Sequence, residues 1–287
     1  MSYSRYQTRR RGLWGLVAFG LVTFVVGAIV GGVVGVFAFI RITGGTGEAS
    51  APISAPTLSL DNATPTIQAA VIPTEVDSTE VAAVPTLVPP SVVNPTEISA
   101  SPEPSARRLF RIVSEESEAR FAVYETFPEG TAVGRTDQIA GDIIVDFDTP
   151  ANSQIGTIRI NLRTLRTDDP DRDRSIRCCV LLTAQDAYEF SGFVPTSIVG
   201  IPSQIQVGQT VSFQVTGNLT LRGNTRPVTF DVSVTPNSER ELQGTATATV
   251  NRSDFGILND DQNGFDYHGV EEEVTLSFDF IAREVEA

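Results

Sequence analysis

The chain has 287 residues, with 21 basic side chains, all of them arginine, against 35 acidic ones, which gives a formal net charge of −14 at pH 7. Nucleic acids and anionic lipid surfaces bind proteins through basic patches, so this charge balance argues against either of them as a direct partner. With one histidine and two cysteines, the chain also lacks the ligands of the usual zinc sites.

The first predicted element is a transmembrane helix at residues 12–40, a stretch without any ionisable side chain. A span needs about 20 apolar residues, whereas a cleaved secretory signal has an apolar stretch of only about 7 to 15, so the sequence indicates an uncleaved signal-anchor. Four arginines lie in residues 1–11, and only Arg41 follows closely. Because arginines near a span favour the cytoplasmic side, we expect a single-pass protein of the cell membrane, with residues 1–11 in the cytoplasm and the C-terminal part extracytoplasmic.

Three glycines of this helix, Gly27, Gly31 and Gly35, recur every four residues and therefore share one face. Such spacing permits close approach of two helices and would allow a helix-mediated homodimer. Glycine is common in spanning helices in any case, so the sequence leaves self-association open.

Residues 41–106 are predicted to form a disordered stalk. Residues 44–106 hold ten of the 17 prolines and seven acids, without a single arginine. Proline fixes φ and removes hydrogen-bond donors, and without apolar periodicity the segment has no means of offsetting the entropy of ordering. A stretch of this length reaches from about 45 Å as a flexible coil to at most roughly 190 Å if fully extended, so it is expected to hold the next domain clear of the membrane.

Residues 107–287 are predicted to form one all-β domain, because apolar and polar side chains alternate as they do in strands with one buried face. The clearest segments contain Ile143/Val145/Phe147, Ile158/Ile160/Leu162, Val211/Phe213/Val215, Val228/Phe230/Val232/Val234 and Val274/Leu276/Phe278/Phe280. The acids between them, Asp142, Asp146, Asp231 and Asp279, are expected to face solvent, which leaves no paired carboxylates for acid–base catalysis.

Alternation alone does not distinguish a hollow barrel from a solid sandwich. Two features favour a hollow interior. Ala246 and Ala248 share a face with Val250, where a filled core would take larger side chains. Twelve phenylalanines against one histidine in this domain also suit an apolar ligand that needs little polar recognition.

Several stretches of residues 107–287 resemble the YceI-like family. They are Phe121-Ala122-Val123, Thr167-Asp168 followed by Arg172-Asp173, Gly217-Asn218-Leu219-Thr220-Leu221-Arg222-Gly223-Asn224, and Val250-Asn251-Arg252-Ser253-Asp254-Phe255-Gly256-Ile257. The resemblance implies an antiparallel lipocalin-like β-barrel with a short helix, which holds a polyisoprenoid or another long-chain lipid. Where relatives usually carry His, Asp-Phe and Tyr-Pro, this chain has Ser175, Val180-Leu181 and Tyr188-Glu189. The ligand contacts of the helical segment expected over one end of the barrel should therefore differ.

Ligand contacts are assigned to side chains expected to point into the barrel. The apolar set is Phe121, Phe147, Ile160, Phe213, Val215, Phe230, Val232, Ala246, Ala248, Phe278 and Phe280. Arg172 and Arg177, beside the expected helix, are candidates for contacting a polar or phosphorylated head group, since guanidinium groups suit phosphate oxygens. The alternative for both arginines is a surface ion pair with a neighbouring aspartate.

Other candidate sites are weak. His268 is the only histidine, and no nucleophile elbow, metalloprotease pair or phosphate-binding loop occurs, so no catalytic residue is assigned. The segment Asn259–Gly264 has the oxygen spacing of a calcium loop, but Val270 stands at the twelfth position. An acidic hairpin loop is favoured there, and no metal or cofactor is assigned.

The adjacent Cys178 and Cys179 leave three states open, namely reduced thiols, a disulfide between neighbours and an intermolecular bridge.

These patterns together predict a membrane-anchored extracytoplasmic protein that sequesters a polyisoprenoid or a similarly long apolar lipid by binding, without catalysis. The alternative is an extracytoplasmic β-domain that binds protein or a cell-wall polymer by its surface and holds no lipid. The two hypotheses differ in whether the face that carries Ala246 and Ala248 borders an open interior or a filled core.

Overall fold

The computed structural model describes residues 21–32, 34–35, 38–39, 44–60, 107–127, 129–258 and 269–285. Residues 21–32 are helical. In this described part of the chain, no helix is both long enough and apolar enough to be a candidate for crossing a membrane. Residues 1–20, most of the predicted stalk, and the loop with Asn259–Gly264 and His268 lie outside the described residues.

The described part of residues 107–287 folds as one curled, mostly antiparallel sheet. Its strands are β1 Arg107–Ile112, β2 Glu118–Thr126, β3 Glu129–Thr136, β4 Ile139–Ala140, β5 Asp142–Asp146, β6 Gln154–Ile155, β7 Ile158–Asn161, β8 Phe190–Val199, β9 Val211–Leu221, β10 Asn224–Ser238, β11 Glu241–Asn251 and β12 Val270–Glu284. They follow the order β4-β7-β8-β9-β10-β11-β12-β1-β5-β6, and β2 pairs with both β12 and β3. Because β3 leads directly into β4, which pairs with β7, the sheet curls round on itself. The prediction of a mostly antiparallel, lipocalin-like sheet is therefore confirmed.

The hairpin between β9 and β10 shows how the sequence sets the register of the sheet. Arg222 and Gly223 connect the strands with φ angles of 48° and 74°, the left-handed pair that a two-residue turn of type I′ requires. This turn pairs Val215 with Phe230, so the alternating apolar side chains of both strands point to the same face. The opposite face carries hydroxyl pairs, among them Thr216 with Thr229 at 2.8 Å.

Phenylalanine rings lie over glycines of neighbouring strands at three places in the sheet. Gly134 is paired with Phe121 and Gly244 with Phe280, while the ring of Phe193 lies over Gly217. A Cβ added to any of these glycines would lie within 2.5 Å of a ring carbon. The glycines therefore provide the space in which the inward-facing rings pack, as in other twisted sheets.

We expect Gly244→Ala to destabilise the domain by about 1 to 3 kcal/mol, because the new methyl group would displace the buried ring of Phe280 and would lie 3.0 Å from the carbonyl oxygen of Ser233. The matched control is Gly130→Ala, where a Cβ meets nothing within 4 Å. The free energy of unfolding from urea titration checks this, and equal values for the two variants would contradict the close packing of Phe280.

The expectation that Asp142 and Asp146 face solvent is wrong. Both aspartates are buried, with 2% and 6% of their surface exposed. Asp142 accepts two hydrogen bonds from Arg111, at 2.8 and 3.0 Å, and Asp146 accepts the backbone N–H of Thr149 at 2.7 Å. β5 lies between β1 and β6 and is covered on both faces, so the alternation of a half-buried strand does not apply to it.

Residues 44–60, which the sequence assigned to the stalk, lie against the folded domain without forming a strand or an α-helix, and we call them the strap. The carbonyl oxygen of Gly44 accepts a hydrogen bond from Arg177 at 3.0 Å. The backbone N–H of Ser50 donates to Glu189 at 2.8 Å, and that of Leu58 donates to Asp142 at 3.1 Å. A disordered stalk therefore does not describe this segment, because its polar groups have partners on the domain.

Candidate ligand cavity

The curled sheet lines a cavity of about 310 Å³. Its wall is almost entirely aliphatic and aromatic, with contributions that include Ile112, Val123, Ile143, Val145, Ile158, Phe193, Ile198, Leu219, Val234, Leu242, Val274 and Leu276. Apolar ligands bind in enclosed, largely preformed cavities of roughly 300 to 1,000 Å³. The interior is therefore not a filled core, and its chemistry suits an apolar molecule.

The structure places ten of the thirteen assigned side chains on the cavity wall. They are Phe121, Ile160, Phe213, Val215, Phe230, Val232, Ala246, Phe278, Phe280 and Arg172. Their position follows from the register of β2, β7, β9, β10, β11 and β12, which turns alternate side chains inward. Whether they contact a ligand stays a prediction.

The other three assigned residues, Phe147, Ala248 and Arg177, lie away from the wall. Phe147 follows the end of β5 and packs edge-on against Phe110, with 6.4 Å between ring centroids. Ala248 is buried in a cluster with Phe255. Arg177 is buried beneath the strap, where it donates to the carbonyl oxygen of Gly44, so it is not placed to contact a head group in the cavity.

Besides Phe255, sequence reasoning missed the aromatic wall residue Phe193. Its ring contacts that of Phe230 edge to face, with 5.0 Å between centroids. The alternation of β8 is interrupted by a shift in register between Pro195 and Ser197. A bulge of this kind reverses which side chains point inward, and the only signal in the sequence is the proline itself.

One end of the cavity is covered by residues 170–181, which we call the capping segment. It consists of an α-helix at Pro170–Ser175 and a π-helical turn at Ile176–Val180, followed by Leu181. Asp169 caps the helix by accepting the N–H of Asp171 at 2.8 Å. Ile176, Val180 and Leu181 line the cavity. The expected short helix over one end is therefore present, and the apolar side chains of the turn that follows it line the cavity at that end.

Arg172 is the charged group of this end, and it is already paired. Its guanidinium lies 3.2 Å from Glu125 and 2.6 Å from Asp168. Both Arg172 and Glu125 also border the cavity. Arg172 therefore forms the ion pair that the sequence offered as the alternative to head-group contact. Any head group that contacts Arg172 must share its guanidinium with two carboxylates.

The stretch Arg252–Ile257, which carries part of the family resemblance, forms a turn that is fixed by hydrogen bonds. Arg252 is buried and donates to the carbonyl oxygen of Ile257 at 2.7 Å, while Arg222 donates to that of Gly256 at 2.7 Å. Gly256 has a φ of 75°, which a residue with a Cβ rarely adopts. These contacts hold Phe255 against the end of the cavity, so the motif has a structural role.

Glu189, at the position where relatives usually carry proline, is completely buried and has four polar contacts. The N–H and hydroxyl of Ser50 and the amide of Asn161 donate to its carboxylate, and Arg163 lies 3.1 Å away. Burial by itself raises the pKa of Glu189, but the hydrogen bonds from Ser50 and Asn161 and the charge of Arg163 outweigh it and lower the pKa. The carboxylate is therefore held in its charged form.

This lowered pKa predicts a dependence of stability on pH. A carboxyl group whose pKa is lower in the folded state contributes stability that is complete above its unfolded pKa, about 4.3 for glutamate, and that is lost as the pH falls through the folded pKa. We therefore expect Glu189→Gln to flatten the fall in unfolding free energy below about pH 5, whereas Glu115→Gln, an exposed control, should leave it unchanged. Parallel acid titrations of the two variants test this.

Cys178 and Cys179 form a disulfide with each other. They lie in the π-helical turn of the capping segment, between Ile176 and Val180 of the cavity wall. Of the three states that the sequence left open, the structure therefore has the bond between neighbours. Among the described residues, no group of histidine, cysteine or acidic side chains is arranged to hold a metal ion.

A curled antiparallel sheet around an apolar cavity, with a short helix over one end, is the architecture of a lipocalin-like binding domain. The model of the YceI-like domain family matches residues 110–282, which is more than half of the chain. The protein therefore belongs to the YceI-like family. No curated protein sequence matches it.

Solved structures with a similar fold are distant in sequence. BcnA of Burkholderia cenocepacia shares 19% identity at a TM-score of 0.49, over 59% of this chain and 98% of that one. A polyisoprenoid binding domain from Saccharophagus degradans, implicated in plant cell wall breakdown, shares 13% identity at 0.48, over 62% and 99%. A YceI protein of Campylobacter jejuni shares 16% at 0.43, over 53% and 85%. Similarities this distant do not carry the identity of a ligand.

Proposed function

We propose that this protein is a membrane-anchored, extracytoplasmic binding protein that sequesters a polyisoprenoid or a similarly long apolar lipid inside its curled sheet. The observation that carries the proposal is the cavity of about 310 Å³ with its apolar wall. Burial of each CH₂ group of a ligand there would contribute roughly 0.8 kcal/mol, part of which is offset by ordering of the lipid tail. Membership of the YceI-like family supports the class of ligand.

The anchoring part of the proposal is supported by the sequence, through the uncharged residues 12–40 and the arginines of residues 1–11. These features would make the protein single-pass, with the YceI-like domain outside the cytoplasm. A tethered domain does not carry its cargo far, so storage, hand-over or sensing of lipid at the membrane fits better than transport through an aqueous compartment. Self-association through Gly27, Gly31 and Gly35 stays a prediction.

Native mass spectrometry of the full chain, released gently from detergent and followed by organic extraction, tests the binding function. The expected result is a bound apolar mass that is extracted as a polyprenyl or quinone-like species. A chain that is reproducibly empty and takes up no added polyprenol would overturn the proposal in favour of a surface interaction module. Catalytic turnover by lipid-free protein would also contradict a function by binding alone.

A further inference from the structure

The strap begins on the capping segment. Gly44 is buried with a φ of 66°, and a Cβ at this position would lie 2.7 Å from the carbonyl oxygen of Arg174. Its own carbonyl oxygen accepts the hydrogen bond from Arg177. The carbonyl oxygen of Gly47 accepts a further one from Arg166 at 2.9 Å. Only a glycine fits this backbone conformation without strain, so the strap is shaped to the capped end of the domain.

The middle of the strap supplies partners for a buried charge. The N–H and the hydroxyl of Ser50 both donate to the carboxylate of Glu189, which has no exposed surface. A buried carboxylate is costly unless it is fully hydrogen-bonded. Because Ser50 supplies two of the donors that this buried carboxylate needs, the domain of this chain is built to receive the strap.

The far end of the strap is held on β5. The N–H of Leu58 donates to Asp142, and the Leu58 side chain fills the space beside Gly156, where a Cβ would lie 3.2 Å from Leu58 Cγ. Between these ends, Arg159 donates to the carbonyl oxygen of Ser54 at 3.4 Å. The strap is therefore attached along its length and not at a single point.

This attachment changes what sets the distance between the domain and the membrane. Residues 61–106 leave the domain at the end of the strap and return to it at Arg107, so their length does not separate the domain from the anchor. The chain between residues 40 and 44 is the connection that separates the domain from the anchor. At no more than about 3.6 Å per residue, it spans at most ~14 Å, compared with the minimum of about 45 Å expected for the stalk as a flexible coil.

The same end of the domain carries an exposed aromatic side chain. Phe127, at the tip of the β2–β3 hairpin, is 91% exposed. The hairpin is joined to the capping segment by the ion pair of Glu125 with Arg172. Aromatic side chains are favoured at the boundary between headgroups and acyl chains, so Phe127 suits a lipid surface better than water.

We propose that the strap holds the capped end of the cavity, with Phe127, against the surface of the lipid bilayer in which the domain is anchored. This inference rests on the proposed anchoring and adds the orientation of the domain and the surface that meets the bilayer. In this arrangement the domain lies on the membrane with a defined face towards the bilayer, instead of standing at the tip of a stalk.

Energy transfer to the bilayer tests the orientation. The full chain is reconstituted in phosphatidylcholine vesicles that contain a headgroup-labelled acceptor lipid. A maleimide donor is attached at Gly130→Cys, beside the β2–β3 tip, or at Gln204→Cys, in the exposed loop at the opposite end; the native cysteines are bonded to each other and do not react. We expect several-fold more efficient transfer from position 130 than from position 204. Equal transfer from the two positions would overturn the inference.

Strap variants provide the second arm of the experiment. Gly44→Val combined with Ser50→Ala should release the strap and make energy transfer from positions 130 and 204 equal. Ser197→Ala, which changes an exposed serine of β8, should preserve the difference in energy transfer. A difference that survives in a folded double variant would overturn the role of the strap. Vesicle flotation tests anchoring separately: a chain that does not float overturns the proposed anchoring and, with it, this inference. Lipid retention in detergent reports on the cavity independently of orientation.

Discussion

Ala246→Leu should reduce lipid binding roughly 30-fold, because the larger side chain would displace two or three CH₂ groups of the ligand, each worth about 0.8 kcal/mol. Ala246 lies on the cavity wall beside Val215 and Val232. Since the leucine would extend into open space, the free energy of unfolding should change by less than about 1 kcal/mol. Polyprenol binding measured by native mass spectrometry and unfolding by urea check both parts.

The neighbouring Ala248→Leu is the matched control, with the opposite expectation. Ala248 is as buried as Ala246, but it does not line the cavity and packs against Leu219, Val228 and Phe255. Overpacking there should cost about 1 to 3 kcal/mol of stability and affect lipid binding less than Ala246→Leu does. Two variants with equal losses of stability would indicate a solid interior on both sides and contradict a ligand cavity.

The largest loss of stability is expected from Arg163→Ala. Arg163 is buried and lies 3.1 Å from the fully buried Glu189, and its Nε–H donates to the carbonyl oxygen of Thr183 at 2.7 Å. Removing one partner of a buried ion pair typically costs about 3 to 5 kcal/mol, because the other charge is left uncompensated. Thermal and urea unfolding of the purified domain with its strap measure the loss.

Two further variants make this prediction specific. Arg283→Ala removes an arginine that pairs with Glu116 and Glu241 on the surface, and it should cost little stability, because exposed ion pairs are screened by solvent. Combining Arg163→Ala with Glu189→Gln should restore part of the stability, since the buried charge is then absent. A loss for Arg163→Ala as small as that for Arg283→Ala would contradict the importance of the buried pair.

Most strands and most of the cavity wall could be predicted from the sequence, because a strand with one buried face shows its side-chain period directly. The same assumption failed at β5, where Asp142 and Asp146 lie in a strand that is covered on both faces. It also failed at β8, where the bulge at Pro195 shifts the alternation and hides Phe193. Phe147 and Ala248 were expected to point into the barrel and do not line the cavity, because alternation does not distinguish a side chain on the cavity wall from one that packs elsewhere in the core.

The strap could not be predicted because its docking has no side-chain pattern. Its contacts come from the backbone of Gly44, Gly47 and Leu58 and from one serine, and a Pro-rich segment without apolar periodicity is typical of a linker. The burial of Glu189, which needs donors from Ser50, is visible only in the structure. Arg177 was misassigned for the same reason, as it lies beneath the strap.

The disulfide of the capping segment joins residues that are adjacent in the chain. A cross-link stabilises a protein mainly by restricting the unfolded chain, and the effect grows with the length of the loop that it closes. A bond between neighbours closes almost no loop, so it hardly reduces the freedom of the denatured ensemble. The resistance of this domain to unfolding must therefore come from its packing, its buried ion pair and its strap, and not from its disulfide.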